Sequence, residues 1–372
     1  MVRAPSGKAS RIMKIERILK SELMDFAAEL QAFPGAYLPL STVRAEALAH
    51  HPFSEADTPM LYLLREGEEL VGFQSVLPDC DENGAPFVWT SGGWVRPDRR
   101  RHGFGSLLLQ AVQADYRDQV AVANMAPVRQ KMLTARKDYL AMPELGLVRY
   151  YRRFATAHFL SHRLPAVPVS KRLLQGVDAV GNAIWDRWLG RSPAADGPQP
   201  DIGSSCSAED AGFLGEHLPW TETDTQYLNW TLAYPWIGTS DRDQNEQEKY
   251  PFSCYARSFG RHWCRFRDAA GQLQAILLLQ WRDGQVKIPL WVGTEECIER
   301  SSAYLNVWLQ GKQIDALSVP SEMADRIQKS GGKMLMSKDI SFPFIVHKRF
   351  ADGGLPPCIK NYSFYRGDWG LT

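Results

Sequence analysis

Apolar and polar positions along the first 155 residues follow two periods, one of about two residues and one of about 3.6. Apolar residues between Glu16 and Ala32 recur every three or four positions, which predicts an amphipathic helix that ends before Pro34-Gly35. Apolar runs predict strands over 60–64, 69–77, 87–95, 120–124 and 148–154, and helices are expected over 41–50, 105–116 and 127–139. This order predicts a strand meander followed by alternating helices and strands, a mixed α/β fold.

A connector follows this first block. Apolar residues recur at helical spacing between Ser170 and Arg191, which predicts an amphipathic helix. Its apolar face is expected to pack on a domain; the alternative is a membrane surface, contacted through Trp185, Trp188, Lys171, Arg172 and Arg187. Residues 192–205 are rich in Pro, Gly, Ala, Ser and Asp and are interpreted as a linker.

The last third of the chain repeats the element order of the first. Strands are expected over 262–267, 272–281, 285–292, 314–319 and 333–350, with helices over 295–309 and 322–329. We interpret the repeat as a diverged internal duplication. The expected organisation is a flexible extension over 1–12, a first domain over 13–163, a connector over 164–205 and a second domain over 206–372. The aromatic group Trp220, Tyr227, Trp230, Tyr234 and Trp236 is expected in the core, with a stacking platform for a ring substrate as the alternative.

Composition narrows the classes of protein that remain. The 43 Lys and Arg and the 42 Asp and Glu give a formal charge of +1, which disfavours a dedicated nucleic-acid binder. No apolar run is long enough to span a membrane, and the N-terminus lacks the apolar segment of a secretory signal. Six scattered cysteines show no metal-ligand spacing, so we expect reduced thiols, no metal and a cytoplasmic protein.

One stretch carries recognisable chemistry. Gly92 to Leu109 reads as a strand, a basic turn with two glycines and a leucine-rich helix. The free amide N–H groups at such a helix N-terminus, together with the helix dipole, bind a pyrophosphate. Gly103 and Gly105 allow close approach of the anion, and Arg100, Arg101 and His102 add donors around it. A solvated basic surface is the alternative interpretation of the arginines.

The spacing Val95-x-Pro97-x-x-Arg100-x-x-Gly103-x-Gly105 resembles the acetyl-CoA pyrophosphate loop of the GNAT superfamily of N-acetyltransferases. The resemblance implies a GNAT fold: a central, mixed, V-shaped sheet flanked by helices. It also implies that Gly92-Gly93 forms the bulge that separates the fourth strand from the fifth. The last third of the chain lacks this loop, so the resemblance indicates a tandem protein with a degenerate C-terminal copy.

The resemblance also implies the residues of the cofactor site. The acyl donor is expected to be acetyl-CoA, with the backbone near Trp94 or Val95 facing the thioester carbonyl. The residues expected to bind the cofactor are Trp94, Val95, Arg100, Arg101, His102, Gly103, Phe104, Gly105, Ser106 and Asn124.

The catalytic groups are less defined. The family usually places a tyrosine after its Asn-x-x-Ala motif to protonate the leaving thiolate, and Met132 stands about where that tyrosine belongs. Tyr139 lies further along and could compensate only with a shift in helix register. Asp79, Asp81 and Glu82, at the turn before the fourth strand, are candidates for the base, with solvated turn acids as the alternative.

The expected function is that of an N-acetyltransferase that moves an acetyl group to the amine of a small-molecule acceptor, for which an amino sugar is considered, by direct attack in a ternary complex. The alternatives are a non-catalytic CoA-binding or scaffolding protein and an acyl or aminoacyl transferase of the same fold. Neither a nucleic-acid partner nor stable membrane insertion is expected, and the C-terminal domain is expected to complete the acceptor site.

Overall fold

The computed structural model describes residues 13–32, 35–80, 85–123, 125–154, 156, 171–189, 199–312, 314–329 and 334–351. Contacts divide the chain into two compact units. The first unit comprises Met1–Leu145, Pro219–Arg257 and Phe342–Thr372, and the second comprises Gly146–Leu218 and Ser258–Ser341. The expected flexible extension over 1–12 lies outside the described residues.

The strands are, in chain order, β1 (Met13–Leu19), β2 (Pro59–Glu66), β3 (Glu69–Cys80), β4 (Pro86–Val95), β5 (Val120–Ala123), β6 (Tyr139–Ala141), β7 (Leu145–Tyr151), β8 (Asp201–Gly203), β9 (Phe259–Arg267), β10 (Leu273–Arg282), β11 (Gln285–Gly293), β12 (Ala316–Pro320), β13 (Met336–Phe342) and β14 (Phe344–His347). The helices are α1 (Leu23–Ala32), α2 (Thr42–Ala49), α3 (Phe104–Asp115), α4 (Pro127–Thr134), α5 (Lys171–Leu189), α6 (Ala208–His217), α7 (Glu222–Ala233), α8 (Asp241–Gln247), α9 (Glu295–Gly311), α10 (Ala324–Lys329) and α11 (Lys348–Ala351).

The first unit is built on a seven-stranded mixed sheet with the order β1-β2-β3-β4-β5-β14-β6. Successive residues of β4 enter different cores, because side chains alternate across a strand: Phe87 and Trp89 lie in one cluster and Val88 in the other. The first cluster packs with α1 and α2, and the second with α3, through Leu108 and Val112. Burial on both faces explains the nearly continuous apolar runs of β2 and β3.

The second unit is built on a seven-stranded sheet with the order β13-β7-β12-β11-β10-β9-β8. Its core gathers residues of β9 to β12 and of α9, among them Leu277, Ile288 and Leu305. Helix α6 is fixed by a buried carboxylate: Asp210 accepts hydrogen bonds from Trp263 Nε1 and from the Arg265 guanidinium. The prediction of a second domain of the same mixed α/β class is therefore confirmed.

The chain exchanges segments between its two units, which the linear boundaries 13–163 and 206–372 do not describe. Strand β7 pairs with β12 in the second sheet, and β14 pairs with β5 and β6 in the first. Residues 219–257 also belong to the first unit, where Tyr227, Trp230 and Trp236 are buried in its core. Three of the five aromatic residues are thus in a core, that of the first unit, and Tyr234 packs against it partly buried, whereas Trp220 belongs to none of the core clusters of the described residues.

The connector differs from the expectation in two ways. Strand β8 lies within the expected linker 192–205 and pairs with β9, while residues 192–198 lie outside the described residues. Helix α5 buries polar side chains: Asp178 accepts a hydrogen bond from the Thr156 amide and Asn182 accepts one from the Phe154 amide. Its apolar positions are more than half exposed, namely Leu173, Val177, Val180 and Ile184. The side chains of Lys171 and Trp188 lie outside the described residues.

Three expected elements have different bounds. The expected helix over 16–32 begins as strand β1, because Glu16 and its neighbours pair with β2. The expected helix over 127–139 ends at Thr134, so that Tyr139 opens β6. The expected strand over 333–350 divides into β13, β14 and α11. Local periodicity cannot distinguish these alternatives, since pairing with distant strands decides them.

Candidate functional site

The turn between β4 and α3 has the backbone of an anion-binding loop. Residues Pro97–Arg99 form one turn of 3-10 helix, and Arg101 and Gly103 both take positive φ, at 68° and 79°. Gly103 is the N-cap of α3 in the left-handed conformation, which glycine adopts without a steric penalty. The two left-handed residues reverse the chain so that the first turn of α3 faces outward.

The N–H groups at this turn are available to a ligand. Ser106 and Leu107 donate to the Gly103 carbonyl, whereas the amides of residues 102–105 have no acceptor among the residues that the structure describes. A Cβ built on Gly105 would meet no atom within 4 Å, so nothing in the surrounding chain requires glycine there. Approach of a ligand to the backbone is the remaining reason for it.

Charge at the loop is divided between paired and unpaired arginines. Arg96 is paired with Asp98 and Arg99 with Glu66, so the charge of both guanidinium groups is compensated. Arg100 donates to the Val95 carbonyl, and within the described ranges neither Arg100 nor Arg101 forms an ion pair. Residues 100–103 are exposed. Two cations therefore remain at the N-terminus of α3, where the helix dipole also attracts an anion.

The predicted bulge in β4 is confirmed. Phe73 pairs with Trp94 and Ser75 with Ser91, so that Gln74 alone faces the two residues Gly92 and Gly93. Gly92 has a φ of 57°. Parallel pairing with β5 runs only from Val88 to Thr90, and β4 continues to Val95 without it. The two strands therefore separate at the bulge, which gives the V-shaped opening of the sheet.

Polar side chains line the bulge. Ser75 Oγ and Gln74 Nε2 donate to the Ser91 carbonyl at 2.6 and 2.7 Å, which fixes the irregular backbone. On the other side, Arg129 of α4 donates to Thr90 Oγ1 at 3.3 Å. A Cβ on Gly93 would lie 2.5 Å from Gln74 Oε1 and 2.6 Å from Arg129 Nη1. Glycine is thus required here because polar groups approach the strand from two sides.

Sequence reasoning missed a group that reaches the bulge from α2 and from residues 219–257. Arg44 is 3% exposed and its guanidinium carbon lies 3.7 Å from the centre of the Trp236 ring. A Cβ on Gly92 would lie 2.5 Å from Arg44 Nη1 and 3.5 Å from the Phe252 ring. An arginine on an eight-residue helix reads as a surface residue, so no sequence signal identified it.

Asp79 does not occupy an exposed turn, as the sequence interpretation assumed. It lies in β3 with 1% exposure, and its carboxylate accepts hydrogen bonds from Trp89 Nε1 and the Cys80 amide. Its position is four residues from Ser75, about 13 Å along an extended strand. These contacts give Asp79 a role in the packing of β3 on β4. Asp81 and Glu82 lie outside the described residues.

The expected acid position is also resolved in part. Met132 of α4 lies beside the loop, since its Sδ accepts a hydrogen bond from Ser106 Oγ at 3.7 Å. Tyr139 lies in the core that α3 covers, and burial raises the pKa of its hydroxyl above the ordinary value. Tyr139 Oη has no hydrogen-bond partner among the described residues. Asn124 lies outside the described residues.

The second unit has no equivalent loop. Strand β11 ends at Gly293 and α9 begins at Glu295, with Thr294 as its N-cap. Glu295 and Glu296 lie in the first turn of α9, where their charge opposes an anion. At the position that corresponds to the loop of the first unit, the second unit thus has Thr294 alone.

The described residues bear on metal binding and on membrane insertion. They contain no group of three or more His, Cys, Asp or Glu side chains that could hold a metal ion. No helix in the same ranges is long and apolar enough to cross a membrane. The described cysteines Cys80, Cys206, Cys254, Cys264 and Cys297 are buried free thiols, and Cys358 lies outside the described residues.

Comparison with known proteins defines the class. Residues 25–139 match the family model described as the acetyltransferase (GNAT) family. This segment contains the bulge, the loop and α3, and it extends to Tyr139. The first unit therefore contains a GNAT acetyltransferase domain, the domain of an acyltransferase. The comparison with curated proteins gave no match.

Solved structures give a distant likeness over most of the chain. A conserved protein of Enterococcus faecalis V583 is 11% identical, with 90% of this chain and 72% of that chain covered and a TM-score of 0.48. A GCN5-related N-acetyltransferase from Kribbella flavida is 12% identical, with 90% and 70% covered and a TM-score of 0.42. A tandem GNAT protein from the clavulanic acid biosynthesis pathway is 14% identical, with 90% and 98% covered and a TM-score of 0.46.

Proposed function

We propose that the first unit binds acetyl-CoA and transfers its acetyl group to the amine of a small-molecule acceptor. The observation that carries the proposal is the conjunction of the outward-facing amides of residues 102–105 with the bulge at Gly92-Gly93. One feature binds the pyrophosphate and the other opens the sheet for the pantetheine arm. An amino sugar is one acceptor class considered, and the described contacts contain no feature specific for a sugar ring.

The residues of the first unit divide the work. Arg100, Arg101, His102, Phe104 and Ser106, with the two glycines of the loop, hold the pyrophosphate by charge and by backbone donation. The backbone at Trp94 and Val95, just past the bulge, orients the thioester carbonyl and donates to its oxygen. Asn124 is proposed to contact the cofactor beyond β5.

The bound thioester supplies the acyl group. In the direct reaction the acceptor nitrogen forms the new C–N bond, the C–S bond breaks, and the sulfur leaves as thiolate. The amine gives its proton to solvent, and a thiolate leaves without a strong acid, which accommodates Met132 beside Ser106. No carboxylate of the described residues is assigned as base.

Replacement of Gly105 by Val is the sharpest test of the cofactor site. The new side chain meets no protein atom, so the fold is retained, while the methyl groups occupy the space of the phosphate oxygens. We expect acetyl-CoA affinity, measured by calorimetry, to fall by about a hundredfold, or about 2.7 kcal/mol. Gly103 is a poorer probe, because its φ of 79° strains any β-branched residue.

Gly212→Val is the matched control. Gly212 lies inside helix α6 of the second unit, and a Cβ there also meets nothing within 4 Å. This variant should bind acetyl-CoA like the parent chain. Equal affinities for all three proteins would reject the pyrophosphate assignment.

A non-catalytic CoA-binding protein is the second candidate. Met132 in the position expected for the acid, and Asp79 committed to Trp89, favour it. Release of free thiol from acetyl-CoA in the presence of an amine panel distinguishes the two. Binding without any acceptor-dependent release would support the binder.

A further inference from the structure

Arg44 is a buried cation for which the described residues provide no counter-ion. Its side chain is 3% exposed, and neither Nε nor Nη1 has a hydrogen-bond partner among those residues. Arg44 forms no ion pair in the part of the chain that the structure describes. An unpaired charge away from water is strongly unfavourable, so proteins retain one only where something compensates it.

The surroundings supply a surface but no acceptor. The guanidinium stacks on Trp236, and the rings of Tyr250 and Phe252 have their centres 5.5 and 5.7 Å from it. Trp236 Nε1 is itself buried without a partner. Stacking occupies the flat face of a guanidinium and leaves its edge, where the N–H groups point, free for a ligand.

A buried acid at the start of α2 has other partners. Glu246 of α8 accepts hydrogen bonds from the Thr42 amide, from Thr42 Oγ1 and from Gln31 Nε2. Its contacts hold the start of α2 and leave Arg44, two residues further along, unpaired. The donors around Trp236 therefore require an acceptor that the described chain does not provide.

The edge of the guanidinium faces the bulge of β4. A Cβ on Gly92 would lie 2.5 Å from Arg44 Nη1, and Gly92 is followed by the exposed Gly93. A group bound to this edge lies against the strand at the point where β4 leaves β5. That is the position at which the proposed function places the acyl group and its acceptor.

We propose that Arg44 and Trp236 bind a carboxylate of the reacting partners. A carboxylate is flat, singly charged and small, so it matches the edge of one guanidinium that lies beside three aromatic rings. It has two sources: an acceptor that carries a carboxylate beside its amine, or a dicarboxylic acyl group on CoA. The inference rests on the proposed function of the same site.

Thermal unfolding of the full chain tests the carboxylate site directly. Glycine and succinate should raise the Tm of the parent chain by about 2 °C or more at saturation, whereas glycinamide, which lacks the carboxylate, should not. Arg44→Met should abolish the shift. The matched control is Arg65→Met, which removes an arginine of β2 that is paired with Glu16 of β1. This variant should retain the shift in Tm. If neither carboxylate raises the Tm of the parent chain, or if the Tm of Arg44→Met still rises with them, the proposal is overturned.

The ligand-free variant separates binding from a structural role. Arg44→Met replaces an unpaired buried charge by an apolar chain of similar length, so its own Tm should equal or exceed that of the parent. A lower Tm, restored by Arg44→Lys, would assign Arg44 to the packing of α2 and overturn the proposal.

Two further measurements identify the source of the carboxylate. If the acyl group carries it, succinyl-CoA should bind the parent chain about tenfold tighter than acetyl-CoA, and Arg44→Met should remove the difference. If the acceptor carries it, the two thioesters should bind alike and Arg44→Met should lower kcat/KM for carboxylate acceptors only. Acetyl-CoA affinity should be unchanged in Arg44→Met, so that failure of this proposal and failure of CoA binding are seen separately.

Discussion

The two units have similar strand arrangements and differ in the segment that follows β4 in the first and β11 in the second. In the first sheet β4 is parallel to β5, and in the second β11 is parallel to β12, each for three paired residues. Between β4 and α3 stand residues 96–103, whereas Thr294 alone separates β11 from α9. The fold thus persists without the loop, because the core is made by strands and helices and the loop contributes only the ligand site.

The bulge survives in both units, although its surroundings differ. In the second unit Leu279 alone faces Ile288 and Pro289, between the pairs Leu278–Leu290 and Gln280–Lys287. Proline cannot donate to a ladder and is typical of such positions. A bulge without a loop still opens the sheet but offers no anchor for pyrophosphate.

A row of side chains across the second sheet includes three basic residues. Cross-strand partners place Arg261, Gln280, Lys287, Ser318 and Arg149 in one row across five strands. Burial, followed by the charges of Arg149, Arg282 and Arg261, lowers the pKa of Lys287 to about 7. In the first unit, by contrast, Arg44 and Arg129 are the cations at the bulge, and aromatic rings surround Arg44. The two units therefore differ in charge as well as in loop length.

Removal of β14 should have the largest effect on the comparison. Val346 is fully buried between β5 and β6, so Val346→Asp places an uncompensated carboxylate in the core of the first unit at a cost of several kcal/mol. We expect loss of acetyl-CoA binding and of cooperative unfolding in the first unit. Lys348→Asp, at an exposed position two residues later, should be tolerated.

A fragment of residues 1–165 should fail for the same reason. It lacks β14 and the core residues Tyr227, Trp230 and Trp236. If the first domain were the continuous segment 13–163, this fragment would bind acetyl-CoA with near-native affinity. The structure predicts aggregation instead, which soluble yield and size-exclusion chromatography would detect.

The stoichiometry of acetyl-CoA should be one per chain. In the described chain residues 96–103 form a turn before α3, whereas Thr294 alone precedes α9, and Glu295 and Glu296 repel an anion there. Calorimetry on the full chain measures this number. Replacement of both glutamates by Ser should leave it at one, since Thr294 alone cannot form a cradle; a stoichiometry of two would contradict the comparison.

Alanine at Gly92 should have an intermediate effect. A positive φ costs an L-residue about 1–2 kcal/mol, and here the Cβ also displaces Arg44 and Ser75. Gly271→Ala in the second unit is the matched control, with a φ of 83° and no atom within 4 Å. Chemical denaturation should show the φ cost in both variants and a further loss in Gly92→Ala. Equal losses would mean that Arg44 and Ser75 yield without cost.

We expect the smallest effect from acid, which should destabilise the first unit more than the second. Burial, followed by the charge of Lys20, lowers the pKa of His51 in the first unit to about 3. Below pH 6.5 the imidazole of His51 is therefore protonated in the unfolded chain but stays neutral in the folded unit. Because of this difference, the free energy of unfolding falls by about 1.4 kcal/mol for each unit by which the pH falls. Hydrogen exchange at pH 7 and pH 4.5, corrected for intrinsic rates, should show the first unit opening first.

The second unit responds less over the same pH range, because burial also lowers the pKa of His262, although less than that of His51. Burial alone would raise the pKa of Asp210, but hydrogen bonds from Arg265, Ser207 and Trp263 outweigh it and hold the pKa below 3.8. The stability that Asp210 contributes is thus lost only as the pH falls below 3.8. His51→Asn should remove the early response of the first unit, while His50→Asn, at an exposed position, should not.

Local pattern predicted the parts of the site that lie within one stretch of chain. The bulge and the turn at Gly103 depend on glycines in fixed order, and both were found where expected. Arg44 could not be predicted, because its burial depends on Trp236, almost two hundred residues away. Strand β14 posed the same difficulty: a strand of four residues, three of them apolar, does not specify which of two similar sheets it joins.

The exchange of β7 and β14 also bears on how the polypeptide is made. A nascent chain emerges from the ribosome with its N-terminus first, and domains ordinarily fold as they emerge. Here β5 and β6 pair only once residues 344–347 have been synthesised, so the first unit is completed after β8 to β13 of the second. A chain that lacks either β7 or β14 has an open strand edge in one sheet. Such an edge pairs with other chains, so we expect the shortened protein to aggregate.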